Sequence, residues 1–244
     1  MFAAFTYINL FSAPTEVGRR YLRRVSDMAS KNILPQKIKA VLSTISSPAP
    51  AIATPLTIPK EFQKFTKMMD DGSIFVLTGD IADMWIRDSA AQVWPYRDTH
   101  PAMVTRVLQR QSMFILADPY ANSYKDVFRA KVSAGEKRLG RGGWVATRNY
   151  EVDSGCYFLR LLHHMWKHHH VDVGPYRETA SALLDTWTVE QHHEEKSPYR
   201  YPELARNGLG AKTAYTGMTW GAFRPSDDAC KLSLIHISEP TRPY

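Results

Sequence analysis

Three long stretches of the chain carry apolar residues at the three- and four-residue spacing of one helix face. They follow Pro101, Tyr150 and Pro175 in turn, and each is long enough for several helical turns. The stripes are Val104, Leu108 and Ile115; Val152, Cys156, Leu159 and Trp166; and Tyr176, Ala180, Leu183 and Trp187. Loops rich in Trp, Asp, Arg and Gly join these stretches, so the sequence predicts a mainly α-helical domain with its polar chemistry on loops.

Shorter segments complete this outline. The segment EFQKFTKMM places Phe62, Phe65 and Met69 on one helix face, and SIFVLTGD (73–80) is predicted to be a short extended run ending in a turn. Residues 16–42 have a helical pattern, and the Ser/Pro/Ala-rich residues 43–55 have the composition of a linker. The expected organisation is a basic helix and linker at 1–55, a catalytic-type domain at 56–231 and an unrelated tail at 232–244.

The net charge of +7 is concentrated near the start of the chain. Residues 1–40 carry seven basic and two acidic side chains, whereas the rest carries 24 basic and 22 acidic ones. The body is therefore almost neutral and has no basic patch with interleaved aromatic residues, which argues against a nucleic-acid-binding protein.

Other features limit the function classes further. Cys156 and Cys230 form no disulfide framework and no metal-binding spacing, and no apolar run approaches the length of a membrane span. The opening MFAAFTYINLFSAP lacks a basic region and is interrupted by Thr6 and Asn9, unlike a secretory signal. The sequence does not specify a compartment.

The segment GDIADMWIRDS (79–89) combines the groups that a saccharide site uses. Asp80, Arg87 and Asp88 offer charged hydrogen-bonding groups for vicinal hydroxyls, and Trp85 offers an apolar face for a sugar ring. A surface loop held by an Arg–Asp pair explains the same residues, so both interpretations stay open.

Two further segments carry polar residues beside predicted helices. DPYANSY (118–124) ends one helix, and its Asn122 is either a hydroxyl ligand or a turn residue. Glu151 and Asp153 precede the next apolar stripe, where they either favour the helix N-terminus or bind a sugar hydroxyl.

The segment TGMTWGAFRPSDDAC (216–230) has the densest chemistry. Its PSDD residues are predicted to begin a helix with Ser226 as the N-cap. Asp227 and Asp228 are adjacent and point in different directions, so one is expected to pair with Arg224 or support the helix end. The other is then free to enter a cleft.

The histidines offer a different possibility. His164 and His168 are four residues apart, a spacing that can bind zinc on a helix, but no third ligand is marked in the sequence. An exposed helix end explains the run HMWKHHH, so no metal site and no cofactor is predicted.

Taken together, four segments resemble glycoside hydrolase family 125, the exo-acting α-1,6-mannosidases. They are TGDIADMWIRDSAAQVWPY (78–96), DPYANSY, YEVDSGCY (150–157) and TGMTWGAFRPSDDAC, which occur in family order between about residues 75 and 230. The chain departs from the family pattern mildly, with Ala82-Asp83, Ile86 and Gly221-Ala222, and none of these changes removes an acid. The first 55 residues are not covered.

The resemblance implies an (α/α)6 barrel, of which about the first half is present, and inverting, metal-independent removal of terminal α-1,6-linked mannose. One of Asp227 and Asp228 is then the general acid, with Asp228 preferred. The implied substrate ligands are Asp80, Trp85, Arg87, Asp88, Asn122, Glu151, Asp153, Trp220 and Arg224. The family's general base is a later Glu that no residue of this chain matches.

The tail LSLIHISEPTR (232–242) matches, codon for codon, the translation of a transposase-type sequencing-library adapter. We therefore expect the genuine protein sequence within this chain to stop near Cys230 or Lys231, and this chain alone to fold poorly and to be inactive. The expected partner is a mannose-containing glycan, with neither nucleic acid nor a membrane involved. The alternative is a non-catalytic mannoside-binding protein that uses the same cleft.

Overall fold

The computed structural model describes residues 56–230. The predicted basic helix and linker at 1–55 and the predicted adapter tail at 232–244 lie outside these residues. In the described part no helix is long and apolar enough to cross a membrane.

Helices form most of the regular structure. They are α1 (Lys60–Gln63), α2 (Ile86–Val93), α3 (Pro101–Ala117), α4 (Ala134–Arg138), α5 (Val152–His169), α6 (Arg177–Gln191) and α7 (His193–Lys196), with 3-10 turns at Trp94–Tyr96 and Gly174–Tyr176. A final short element, Ala205–Gly208, contains two left-handed residues, Arg206 and Asn207, and is a turn in shape.

Two small antiparallel sheets accompany the helices, so the expectation of an all-α chain was too narrow. Strands β1 (Thr66–Met68) and β2 (Ile74–Val76) form a hairpin. Strands β3 (Met84–Trp85), β4 (Ser123–Arg129) and β5 (Gly143–Thr147) form a sheet in that order, with Tyr124 opposite both Met84 and Val145. The described fold is helix-rich with sheets on its connections.

The β1–β2 hairpin replaces part of a predicted helix. The helix expected through EFQKFTKMM ends at Gln63, and Thr66–Met68 is extended because it pairs with Ile74–Val76. Pairing with the next strand of the chain outweighs the local helical spacing here. The extended run predicted within residues 73–80 is confirmed by β2, and Gly79 supplies a left-handed turn residue after it.

The main core lies where α3, α5 and α6 pack together. The α3 stripe of Val104, Leu108 and Ile115 is fully buried, as predicted. The predicted α5 stripe was only partly right. Val152 and Leu159 are partly buried and pack against the cores, but Cys156 and Trp166 are exposed. The buried face of α5 consists mainly of Phe158, Leu161, Leu162 and Met165.

A second, smaller core consists mainly of aromatic rings from the loops. We call it the aromatic cluster; its buried members are Tyr120, Tyr150, Tyr199, Tyr201, Leu204, Trp220 and Ala222. It joins the loop before α5 to the segment that carries the two adjacent aspartates.

Candidate functional site

Arg87 brings the two predicted carboxylates of the α5 segment together. It lies in the first turn of α2, and α2 packs against α5. Its Nη1 donates to Glu151 Oε2 at 2.7 Å and to Asp153 Oδ2 at 3.3 Å, while its Nη2 lies 3.5 Å from Asp88 Oδ2. One guanidinium therefore gathers three carboxylates from two helices.

Glu151 is the most deeply buried of these acids. Its side chain is 1% exposed, against 12% for Asp153 and 35% for Asp88. Burial raises the pKa of Glu151 to about 7, with further upward pressure from Asp153 and Asp227, although Arg87 acts in the opposite direction. The result is a buried carboxyl group that changes charge near neutral pH.

Asn122 links the two segments that carry the residues of this centre. Its backbone oxygen accepts from Ile86 N at 3.1 Å, and its Oδ1 accepts from Thr147 Oγ1 at 2.6 Å and from Asn149 N at 3.2 Å. It thereby ties the start of α2 to the loop that leads into α5. Its Nδ2 is buried without a hydrogen bond, and its amide helps to lower the pKa of Glu151.

The segment with the adjacent aspartates is a turn, and the predicted helix start with Ser226 as its N-cap was wrong. Phe223 and Ala229 pair across the turn, and Asp227 N donates to Arg224 O at 2.9 Å. Asp227 itself is left-handed, with a φ of 60°. Pairing across the turn, between Phe223 and Ala229 of the same chain, determines this backbone. The two aspartates therefore do not begin a helix, and the dipole expected from such a helix is missing.

The two aspartates have different partners. Asp228 Oδ2 accepts from Arg224 Nη2 at 2.7 Å and from Ser226 Oγ at 2.8 Å, on the exposed side of the turn. Asp227 Oδ1 accepts from Asn149 Nδ2 at 3.0 Å and is near enough to Glu151 to raise its pKa. Asp228 is therefore the member that pairs with Arg224, as predicted for one of the two, and Asp227, which is also exposed, is the member nearer the carboxylate centre.

Backbone contacts hold this turn against the centre. Arg87 Nη2 donates to Pro225 O at 3.0 Å, and Tyr150 O accepts from both Ala222 N and Phe223 N at 3.1 Å. Tyr199 Oη donates to Arg148 O at 2.8 Å within the aromatic cluster. The cluster thus positions the segments on both sides of Glu151.

Four predicted ligands lie apart from the Arg87 centre. Asp80 is exposed in the turn before β3, and Arg224 is exposed beside Asp228. Trp85 is half-buried at the N-cap of α2, and its Nε1 is buried without a hydrogen bond. Trp220 is 1% exposed and stacks on His193, with ring centroids 3.6 Å apart, so it lies in the core and not on a cleft wall.

Sequence reasoning missed a buried network behind the site. Glu190 Oε1 accepts from Tyr120 Oη at 2.8 Å and from Ser197 Oγ at 2.6 Å, and Glu190 Oε2 lies 2.6 Å from His193 Nδ1. Asn149 was missed as well, although it stands next to the predicted segment YEVDSGCY. No local pattern marks residues that meet only after folding.

Comparison with known proteins identifies the family. The family described as metal-independent alpha-mannosidase (GH125) matches residues 51–239, which include all the residues of the Arg87 centre. The chain belongs to this family. The recognition made from the four sequence segments is therefore confirmed.

Two relatives show how far the likeness extends. A solved structure from Streptococcus pneumoniae is 38% identical to this chain and superimposes with a TM-score of 0.63. The match covers 71% of this chain and 45% of that one. It is described as a non-productive substrate complex with α-1,6-mannobiose, from work on metal-independent α-mannosidases and the processing of N-linked glycans. The meiotically up-regulated gene 157 protein of Schizosaccharomyces pombe is 26% identical over 205 residues, which cover 66% of this chain and 38% of the relative. The chain therefore spans less than half the length of either relative and shares the α/α-type fold of the family.

Proposed function

We propose that this chain forms the N-terminal part of an enzyme that hydrolyses terminal α-1,6-linked mannose with inversion. The observation that carries the proposal is the Arg87 centre, where one guanidinium gathers Asp88, Glu151 and Asp153 beside the Asp227 turn. Membership of an α-mannosidase family supports a mannoside substrate. The mannobiose complex of the Streptococcus pneumoniae relative supports the α-1,6 linkage.

The centre suits recognition of a sugar. Carboxylates accept hydrogen bonds from vicinal sugar hydroxyls, and the guanidinium of Arg87 can donate to the hydroxyl oxygens. Asn122 Nδ2 is a buried donor that makes no hydrogen bond of ordinary length and stands near enough to Glu151 to lower the pKa of that carboxyl, so it can donate to a ligand oxygen beside Glu151. In this proposal Arg87, Asp88, Glu151 and Asp153 bind the terminal mannose, with Asn122 beside them.

We assign the general acid to Asp227 in place of the preferred Asp228. Arg224 and Ser226 hold Asp228 by charge-assisted bonds that suit an ionised carboxylate, whereas a general acid must carry a proton. Asp227 accepts from the neutral amide of Asn149 and lies on the Glu151 side of the turn. Its proton would pass to the oxygen of the leaving sugar.

Inversion also needs a general base that activates water on the opposite face of the sugar. The two carboxyl groups of inverting glycosidases lie about 6.5–9.5 Å apart. We place this base in the part of the enzyme that follows Cys230, which would complete the second half of an (α/α)6 barrel. By this account the 244-residue chain alone releases no mannose.

The test is hydrolysis of α-1,6-mannobiose by the full-length gene product with and without a chelator, followed by proton NMR. The proposal expects chelator-resistant turnover with β-mannose appearing first. Initial release of α-mannose would contradict inversion. Binding of mannobiose without turnover would favour the non-catalytic alternative, and turnover by the 244-residue chain would contradict the need for a second half.

A further inference from the structure

Two histidines of α5 converge on one carboxylate oxygen at the end of the helix remote from the Arg87 centre. His164 Nε2 lies 2.8 Å and His169 Nε2 lies 3.2 Å from Asp98 Oδ1. The three ligand atoms, one from each residue, all lie within 4.8 Å of one another. Asp98 follows the 3-10 turn Trp94–Tyr96, so the group joins two separate elements.

We propose that Asp98, His164 and His169 bind a divalent zinc-like cation. Zinc in proteins takes His nitrogen and carboxylate oxygen at about 2.0–2.2 Å in tetrahedral geometry, which sets ligand atoms about 3.3 Å apart. The two pairs that share Asp98 Oδ1 are already near this separation. Three protein ligands leave a fourth position for water.

Neighbouring groups orient the three ligands. The ring of His164 packs edge-on against Trp94, with centroids 5.3 Å apart, and His168 stacks on the other side at 4.5 Å. Arg97 Nη2 lies 3.3 Å from Asp98 Oδ2, the oxygen that does not face the histidines.

The charges nearby reduce the affinity without blocking the site. Arg97 and Arg160 both lie over the Trp94 ring, and Lys167 stands on the same helix end. These cations disfavour a divalent ion, so we expect a site weaker than a buried structural one. The side chains of His164 and His169 are 15% and 20% exposed, whereas that of Asp98 is 52% exposed, so the histidines are the shielded ligands and the carboxylate is the open one.

This site is separate from the proposed chemistry. His164 is eleven residues beyond Asp153 on α5, which places it about 16 Å along the helix at about 1.5 Å per residue. A cation there cannot touch a sugar in the Arg87 centre. The inference therefore agrees with the family's description as metal-independent and does not depend on the proposed function.

The sequence pattern indicated only one of the three ligands of this site. The helical spacing drew attention to His164 and His168, but His168 contributes no atom to the three-residue group. The acidic ligand lies 66 residues before His164, so only the fold brings it there. The missing third ligand is Asp98, and the second histidine is His169.

The experiment is titration of the full-length, untagged protein with Zn²⁺ by calorimetry and with Co²⁺ by visible absorption. We expect one ion per chain and tetrahedral Co²⁺ bands. Loss of a residue that only hydrogen-bonds a metal ligand weakens metal binding by about 10- to 100-fold. Asp98→Asn, His164→Ala and His169→Ala each remove a ligand and should weaken binding by more than this. His163→Ala and His192→Ala are the matched controls and should bind as the parent does.

Circular dichroism of each variant separates loss of a ligand from loss of the fold. Zn²⁺ should raise the melting temperature of the parent and of the His163→Ala control, but not that of His169→Ala. Mannobiose hydrolysis should be unchanged by Zn²⁺ at concentrations that saturate the site. Absence of stoichiometric binding, or binding that survives both His164→Ala and His169→Ala in folded protein, would overturn the proposal.

Discussion

Glu151 and Glu190 are both buried carboxylates, yet their surroundings differ in kind. The side chain of Glu151 is 1% exposed and that of Glu190 is 0% exposed. Glu190 has a partner on each oxygen, whereas Glu151 Oε1 has no hydrogen bond and Asp153 and Asp227 stand nearby. A buried carboxylate with hydrogen bonds to both oxygens indicates a structural role. A buried carboxylate with one unbonded oxygen and other acids nearby indicates a ligand site.

His193 sharpens the structural interpretation of Glu190. Its Nε2 lies 2.8 Å from Leu209 O, which only accepts, so this nitrogen carries a proton. The opposite nitrogen faces Glu190 Oε2, and the ring stacks on Trp220. This network lies behind the aromatic cluster and anchors the segments that frame Glu151.

The largest expected effect concerns the two aspartates next to the Glu151 centre. Because loss of a general acid removes about 10²–10⁴ in rate, Asp227→Asn in the full-length enzyme should lower kcat for mannobiose by that factor. Asp228→Asn is the matched control and should lower kcat less than about tenfold, since it weakens the exposed contacts of the turn with Arg224 and Ser226. A larger loss in the Asp228 variant would move the acid to Asp228.

The next effect concerns stability at Glu190. Glu190→Gln removes the charge that faces His193 in a buried pair, which should lower the free energy of unfolding by about 3 kcal/mol. Urea unfolding of the full-length protein measures this. The exposed neighbour Glu195 provides the control, because Glu195→Gln should change stability by less than about 0.5 kcal/mol. Equal effects at the two positions would show that the buried network contributes little.

A smaller effect is a pH dependence at Glu151. The folded-state pKa of about 7 lies above the ordinary value of 4.5, so the folded protein holds this proton more tightly than the unfolded chain does. Stability from this group is complete below about pH 4.5 and is lost as pH rises to about 7.

Glu151→Gln, which cannot titrate, reveals this contribution by difference. The free energy of unfolding of the parent, relative to the variant, should fall by about 3 kcal/mol between pH 4.5 and 7.5. Glu190→Gln measured in the same buffers controls for other groups. A difference that is flat across this range, or that rises with pH, would contradict a raised pKa.

Prediction from sequence succeeded where local pattern decides the outcome. The α3 stripe is buried as its spacing predicts, because one helix face packs against the core along its whole length. On α5 the buried face is not centred on the predicted stripe. Gly155 lies so close to Leu183 and Trp187 of α6 that a larger side chain would clash there, and this contact determines which face of α5 is buried. The residue types of α5 do not contain that information.

The site shows the same limit. Arg87, Glu151 and Asp153 were predicted as ligands from separate segments, and the fold brings them together. The helix predicted at Ser226 is a turn because Phe223 pairs with Ala229, which local capping preferences do not reveal. The role of Glu190 could not be predicted for the same reason, since its partner Tyr120 lies 70 residues earlier in the chain.

The most direct test compares Glu151→Gln and Glu190→Gln in the full-length enzyme, with kcat/KM for α-1,6-mannobiose measured well below both melting temperatures. The account predicts that Glu151→Gln lowers kcat/KM at least about tenfold, as loss of a hydrogen bond to a charged group implies. It predicts that folded Glu190→Gln stays within about threefold of the parent, because the buried network touches no substrate. Full activity in the Glu151 variant together with a large loss in the folded Glu190 variant would contradict it.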